Sequence, residues 1–268
     1  MAKNLNRLII NKIVKMPKEK IIDSKEIISL IIGSLVLGFI FSFKEWGYGS
    51  VNIDLGLSNL IRATILSLIV LSIYQLSHKL IAKKFELNSR FTIWSMKRFW
   101  FTKSSKVNET KLFGMKIKSI KMGVIIPLLF AFLTNGILKF ATVGSSEISQ
   151  RKGRNVGREY KHISEYEEAL IFLVGPLTCL LMALIFKQFP GFDKLVEISY
   201  TLAIFSMIPF SGLDGSKIFF GSLPLYICSG TFILISVALM QILSPVLTLI
   251  LSAIVAILLL TIFLYRTL

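Results

Sequence analysis

A chain of 268 residues that is 54% hydrophobic and 17% charged, with a mean hydropathy of +0.71, is too apolar for one soluble core and belongs in a lipid bilayer. Its net charge of +16 would suggest a nucleic-acid partner in a soluble protein. Here the cations cluster between apolar runs, where they set membrane topology, and no nucleic acid is expected.

A crossing needs about 17–25 mostly apolar residues, and the chain supplies such runs in order. Residues 1–26 carry Lys3, Arg7, Lys12, Lys15, Lys18, Lys20 and Lys25 against Glu19, Asp23 and Glu26, so the positive-inside rule puts this end in the cytoplasm. A first span follows at 27–43, read as a retained anchor because no small-residue cleavage site follows it. The loop around Lys44, Glu45 and Asp54 is poor in positive charge and faces outward. A second span covers 57–84, with its charge-free part at Ala63–Ser77.

Residues 85–166 form a basic cytoplasmic segment. Its short alternating pieces, Phe91-Thr92-Ile93-Trp94 and Met115-Lys116-Ile117-Lys118, predict strands or an interfacial hairpin. The aromatics Trp94, Phe99, Trp100 and Phe101, interleaved with Lys97 and Arg98, read as an interfacial belt. Within this segment, 122–141 contains Pro127 and Asn135-Gly136 and precedes a loop holding Arg151, Lys152, Arg154, Arg158 and Lys161. A re-entrant hairpin, entering and leaving on the cytoplasmic side, accommodates both features; the alternative is a full span. Core spans occupy 167–221, with charge-free runs at Ala169–Phe186 and Ile198–Leu213. Residues 222–268 make a pair of terminal spans turning at Ser244-Pro245. The expectation is an all-α protein of the cell membrane with about six transmembrane helices and both termini cytoplasmic.

Ionisable groups at membrane depth are costly, so each is a functional candidate. One cluster is Tyr74-Gln75-Leu76-Ser77-His78, in which Tyr74 and His78 stand at i and i+4 on one helix face. The other is Asp214, set among chain breakers in Pro209-Phe210-Ser211-Gly212-Leu213-Asp214-Gly215. The plain alternative for His78 is an interfacial or capping residue beside Lys79. His162 precedes a helix starting near Glu165–Glu168 and reads as a solvated loop residue. The cysteines Cys179 and Cys228, inside separate apolar runs, give no metal motif and no disulfide.

At these residues the sequence resembles the site-2 protease family of intramembrane zinc metalloproteases. In that family a helix carries H-E-x-x-H and a later helix supplies a third zinc ligand from L-D-G. The resemblance puts Tyr74 and Gln75 at the first His and the Glu, His78 at the second His, and Asp214 at the L-D-G aspartate. It also matches Gly175-Pro176-Leu177-Thr178-Cys179 to the family's G-P-x-x-N, and it covers about Leu60–Lys84 and Glu167–Gly221.

The departures fall on polar positions. Gln75 has no group that titrates near neutral pH and cannot act as the general base. Tyr74 would have to lose a phenolic proton to ligate a metal. Cys179 replaces the Asn of G-P-x-x-N, and Ser206 stands where the family has Asn. The resemblance therefore implies a pseudoprotease that binds transmembrane segments or a membrane partner, without a cofactor, its His78–Asp214 pair replacing the metal. Two alternatives remain: a hydrolase with an atypical zinc site of Tyr74, His78 and Asp214, and a transporter or carrier.

Overall fold

The computed structural model describes residues 23–47, 52–95, 110–112, 115–117, 120–150 and 163–267. The basic N-terminal stretch through residue 22, the Lys97–Phe101 part of the aromatic belt, and the loop with Arg151–Lys161 and His162 lie outside the described residues.

Among the described residues the chain forms eight helices. In order these are α1 (Ser24–Ser42), α2 (Ile53–Lys84), α3 (Met122–Leu133), α4 (Glu165–Phe186), α5 (Asp193–Ser206), α6 (Asp214–Gly221), α7 (Leu223–Leu239) and α8 (Pro245–Thr267). Four of them, α1, α2, α4 and α8, are long and apolar enough to cross a membrane, the mark of a membrane-embedded protein.

Against the about six transmembrane helices expected, the described residues hold eight helices, four of them long apolar candidates for crossing. The run Ile198–Leu213 contributes only α5, of 14 residues, about 21 Å against a hydrocarbon core of about 30 Å. It stops because Pro209 and Gly212, the latter at φ +88°, do not continue a helix. The pair 222–268 does divide at Ser244-Pro245, and α7, with 17 residues, stands at the lower limit of a crossing.

The fold is also not purely helical. Strand β1 (Leu87–Ile93) pairs antiparallel with β4 (Gly144–Gln150), in register from Leu87 opposite Gln150 to Ile93 opposite Gly144. Strands β2 (Thr110–Leu112) and β3 (Met115–Ile117) form a separate small hairpin. The expected strand signals at Phe91–Ile93 and Met115–Ile117 fall in β1 and β3. The partner strand β4 lies in a segment read from sequence only as a hydrophilic loop.

Segment 122–141 is a helix followed by a turn and an irregular return. Helix α3 ends in a turn through Asn135 (φ 49°) and Gly136 (φ 70°). Both ends of the segment meet Trp94: the Gly123 N–H donates to the Trp94 carbonyl at 2.9 Å, and the Trp94 N–H donates to the Val143 carbonyl at 3.1 Å. The chain thus comes back to the end where it started.

The core lies between α1, α2, α4 and α5, with Leu37, Ile40, Val70, Phe172, Leu180 and Ile198 all fully or almost fully buried. Two helices come close enough to require a glycine: a Cβ on Gly38 would lie 2.8 Å from the Cα of Thr64, so α1 crosses α2 backbone to backbone. Helix α4 starts with a complete capping box, Ser164 with Glu167, which satisfies two otherwise orphaned donors.

Candidate functional site

The buried polar residues of α2 point at the N-terminus of α6. Tyr74 and His78 lie on one face of α2, their rings in an edge contact with centroids 4.7 Å apart. Both meet Asp214, the first residue of α6. The Tyr74 hydroxyl donates to Asp214 Oδ2 through a short hydrogen bond, and His78 Nε2 stands 3.4 Å from the same oxygen. The other carboxylate oxygen accepts the backbone N–H of Ser146 in β4 at 3.3 Å. Three elements distant in sequence therefore converge on one carboxylate, whose side chain is 1% exposed.

The histidine tautomer follows from its second contact. His78 Nδ1 is 2.9 Å from the Ile171 carbonyl, which can only accept, so Nδ1 carries a proton. Among the described residues its Nε2 has no hydrogen-bond partner. It faces the Asp214 carboxylate at 3.4 Å, longer than an ordinary hydrogen bond.

Gln75 is held at both ends of its amide. Its Nε2 donates to Ser89 Oγ of β1 at 3.3 Å, and its Oε1 accepts from Ser146 Oγ of β4 at 2.7 Å. The amide thus bridges the two strands of the β1–β4 sheet from below. Ser146 is a junction: its hydroxyl serves Gln75, its N–H serves Asp214, and its carbonyl accepts from Lys217 Nζ at 2.5 Å. Lys217 also lies over the Phe172 ring, 3.8 Å from its centroid, a contact that favours a partly desolvated cation.

Helix α4 closes the other side. An added Cβ on Gly175 would fall 2.2 Å from His78 Nε2 and 2.5 Å from Tyr74 Cε2, so no side chain fits there. Pro176 is buried beside it, and Cys179, one turn further along, is fully buried. Gly215 is equally constrained: its Cβ would sit 2.4 Å from the Met207 carbonyl, which fixes α6 against the end of α5. The intervening loop is tied to the sheet, since Trp94 Nε1–H donates to the Ser211 carbonyl at 3.0 Å and Ser145 Oγ–H donates to the Gly212 carbonyl at 2.6 Å.

No family model, no curated protein and no solved structure matches this chain. The chemistry of the site has to be read from its own residues.

Those residues do not suit zinc. Among the described residues no three His, Cys, Asp or Glu side chains converge; the cluster offers one imidazole and one carboxylate. Its third member, the Tyr74 phenol, donates its proton to the very oxygen that His78 faces. A metal on Asp214 would have to displace that hydrogen bond and take a phenolate, a poor substitute for a neutral imidazole.

Of the residues singled out in the sequence, Tyr74, Gln75, His78, Asp214 and Gly175 come together. Ser206 does not: its hydroxyl donates to Ala203 within its own helix at 2.9 Å. Ser146, Ser89 and Lys217 were missed. Lys217 could have been found, because it stands three residues after Asp214 on a helix and shares its face. Ser146 and Ser89 carry no local signal.

Proposed function

We propose that the chain is a site-2-protease-like membrane protein that no longer hydrolyses peptides, and that it holds a transmembrane segment or a membrane partner between its core helices. In this reading it resides in the cell membrane with both termini cytoplasmic, and 122–141 is a re-entrant hairpin. The observation that carries the proposal is the hydrogen bond from Tyr74 to Asp214 beside His78. The Tyr74 phenol reaches the Asp214 carboxylate directly, so a proton lies where a ligand at position 74 would need a metal between the two. Donors from Tyr74 and the Ser146 backbone, with Lys217 nearby, compensate the carboxylate without a metal.

Gln75 supports the same reading. Where a general base would be needed it offers an amide, engaged by two serines, and loss of such a base costs about 10²–10⁴ in rate. The tight glycines at 175 and 215 fit a scaffold kept for packing after the polar positions changed. Lys79, Lys83 and Lys84 at the end of α2 favour a cytoplasmic end there.

Restoration tests the proposal. The variant Tyr74→His with Gln75→Glu, purified in detergent, should acquire about one zinc per chain, and adding His78→Ala should abolish it. A folded double variant that gains no metal would mean that Asp214 does not stand where a third ligand would, and the resemblance would fall.

A further inference from the structure

At the end of the bundle remote from His78, the termini of α1, α4 and α5 and the first turns of α2 surround a polar cavity of about 700 Å³. It falls within the about 300–1,000 Å³ of small-molecule sites. Arg62, Lys187, Lys194, Glu45, Asp193 and Glu197 supply its charged lining. Most of these charges are already matched. Lys194 bonds Glu45 and also faces Glu197 at 3.6 Å, while Lys139 pairs with Glu197 from the far side.

Among the described residues, two of these cations have neutral hydrogen-bond partners only. Arg62 Nη2 donates to the Gly191 carbonyl at 3.2 Å, and Lys187 Nζ donates to the Gln241 side-chain oxygen at 3.4 Å. The remaining carboxylate, Asp193, begins α5, where the positive end of the helix already compensates it. The lining holds three cations and three carboxylates, and Lys139, outside it, shares Glu197. A guanidinium satisfied by a single carbonyl keeps donors free for a bidentate oxyanion.

Ile61, Phe192 and Ile242, sequence neighbours of the lining residues Arg62, Asp193 and Gln241, are exposed apolar side chains on the same elements. A charged cavity on a bundle whose helices expose apolar side chains suits an amphiphile whose head enters the cavity and whose chains lie along the helices. We infer that this cavity binds a phosphate group, carried by an anionic phospholipid headgroup or by a soluble phosphate, with Arg62 and Lys187 as its principal contacts. The inference does not depend on the protease-like reading, which concerns the opposite end of the bundle.

The test places the delipidated full-length protein in nanodiscs of phosphatidylcholine containing a minor fraction of phosphatidylglycerol and counts retained lipid by native mass spectrometry. A parallel arm titrates inorganic phosphate into protein in phosphatidylcholine alone. Wild type should retain phosphatidylglycerol selectively, Arg62→Gln with Lys187→Gln should weaken retention about tenfold or more, and Lys84→Gln, at the other end of α2, should leave it unchanged. Selective lipid retention that inorganic phosphate does not disturb identifies the headgroup as the ligand; binding of inorganic phosphate that is lost in the double variant identifies a soluble phosphate. If the double variant does not fold, Arg62→Gln alone carries the same expectation. Equal retention of both lipids together with no phosphate binding, or a folded variant that behaves as wild type, overturns the inference.

Discussion

Substituting Gly175 by alanine probes the site without touching any polar group. The new methyl would lie 2.2 Å from His78 Nε2 and 2.5 Å from Tyr74 Cε2, well inside the roughly 3.5–4.0 Å of favourable contact. Neither ring can move freely, since His78 is anchored to Ile171 and Tyr74 to Asp214, and both are buried. Overpacking of this kind costs about 1–3 kcal/mol, which for a chain of this size is a fall in Tm of about 2–12 °C. Thermal unfolding in detergent measures it. Gly230→Ala is the control, because its added methyl would meet only Met207 Cε at 3.8 Å and should be close to neutral. His78→Ala removes one of the two clashes, so Gly175→Ala should cost less in that background, with a coupling of at least about 0.5 kcal/mol. A Gly175→Ala protein that melts with wild type would refute the close approach of α4 to the cluster.

Other substitutions read the surrounding network. Ser146→Ala removes the donor to the buried Gln75 oxygen and should cost about 1–3 kcal/mol, a loss that shrinks when Gln75→Met removes the orphaned amide as well; unfolding temperatures of the three proteins decide it. Glu26, 2% exposed in α1, binds Lys79 at 2.7 Å and accepts the Phe91 N–H at 3.3 Å. Its change to Gln should destabilise by about 1–3 kcal/mol, less than the about 3–5 of breaking a fully buried pair, because Lys79 reaches solvent. Between α7 and α8, Ser236 Oγ donates to Ser252 Oγ at 2.8 Å, yet Ser236→Ala should lose only about 0.6 kcal/mol, as for other intramembrane hydrogen bonds.

The sequence made the polar cluster legible because a bilayer removes most competitors: a histidine, a glutamine and an aspartate at membrane depth stand out against apolar neighbours. Helical periodicity put Tyr74 and His78 on one face, and the breakers around Asp214 marked the short α6. The strand contributing Ser146 was not legible. Gly144–Gln150 has no alternation of apolar and polar residues, and its pairing with β1 is long-range, settled by backbone hydrogen bonds that composition does not encode. Span counting failed for a related reason. Hydropathy treats Ile198–Leu213 as one crossing, whereas Pro209 and Gly212 end α5 early and let Asp214 begin a separate helix.

The most direct measurement is the zinc content of the wild-type protein, purified in detergent without chelator and read by elemental mass spectrometry, paired with incubation against membrane-embedded peptide substrates. With Tyr74 donating to Asp214 and Gln75 in place of a base, the expected result is substoichiometric zinc, unchanged by His78→Ala, and intact substrate. One zinc per chain, with cleavage that His78→Ala abolishes, would contradict the account.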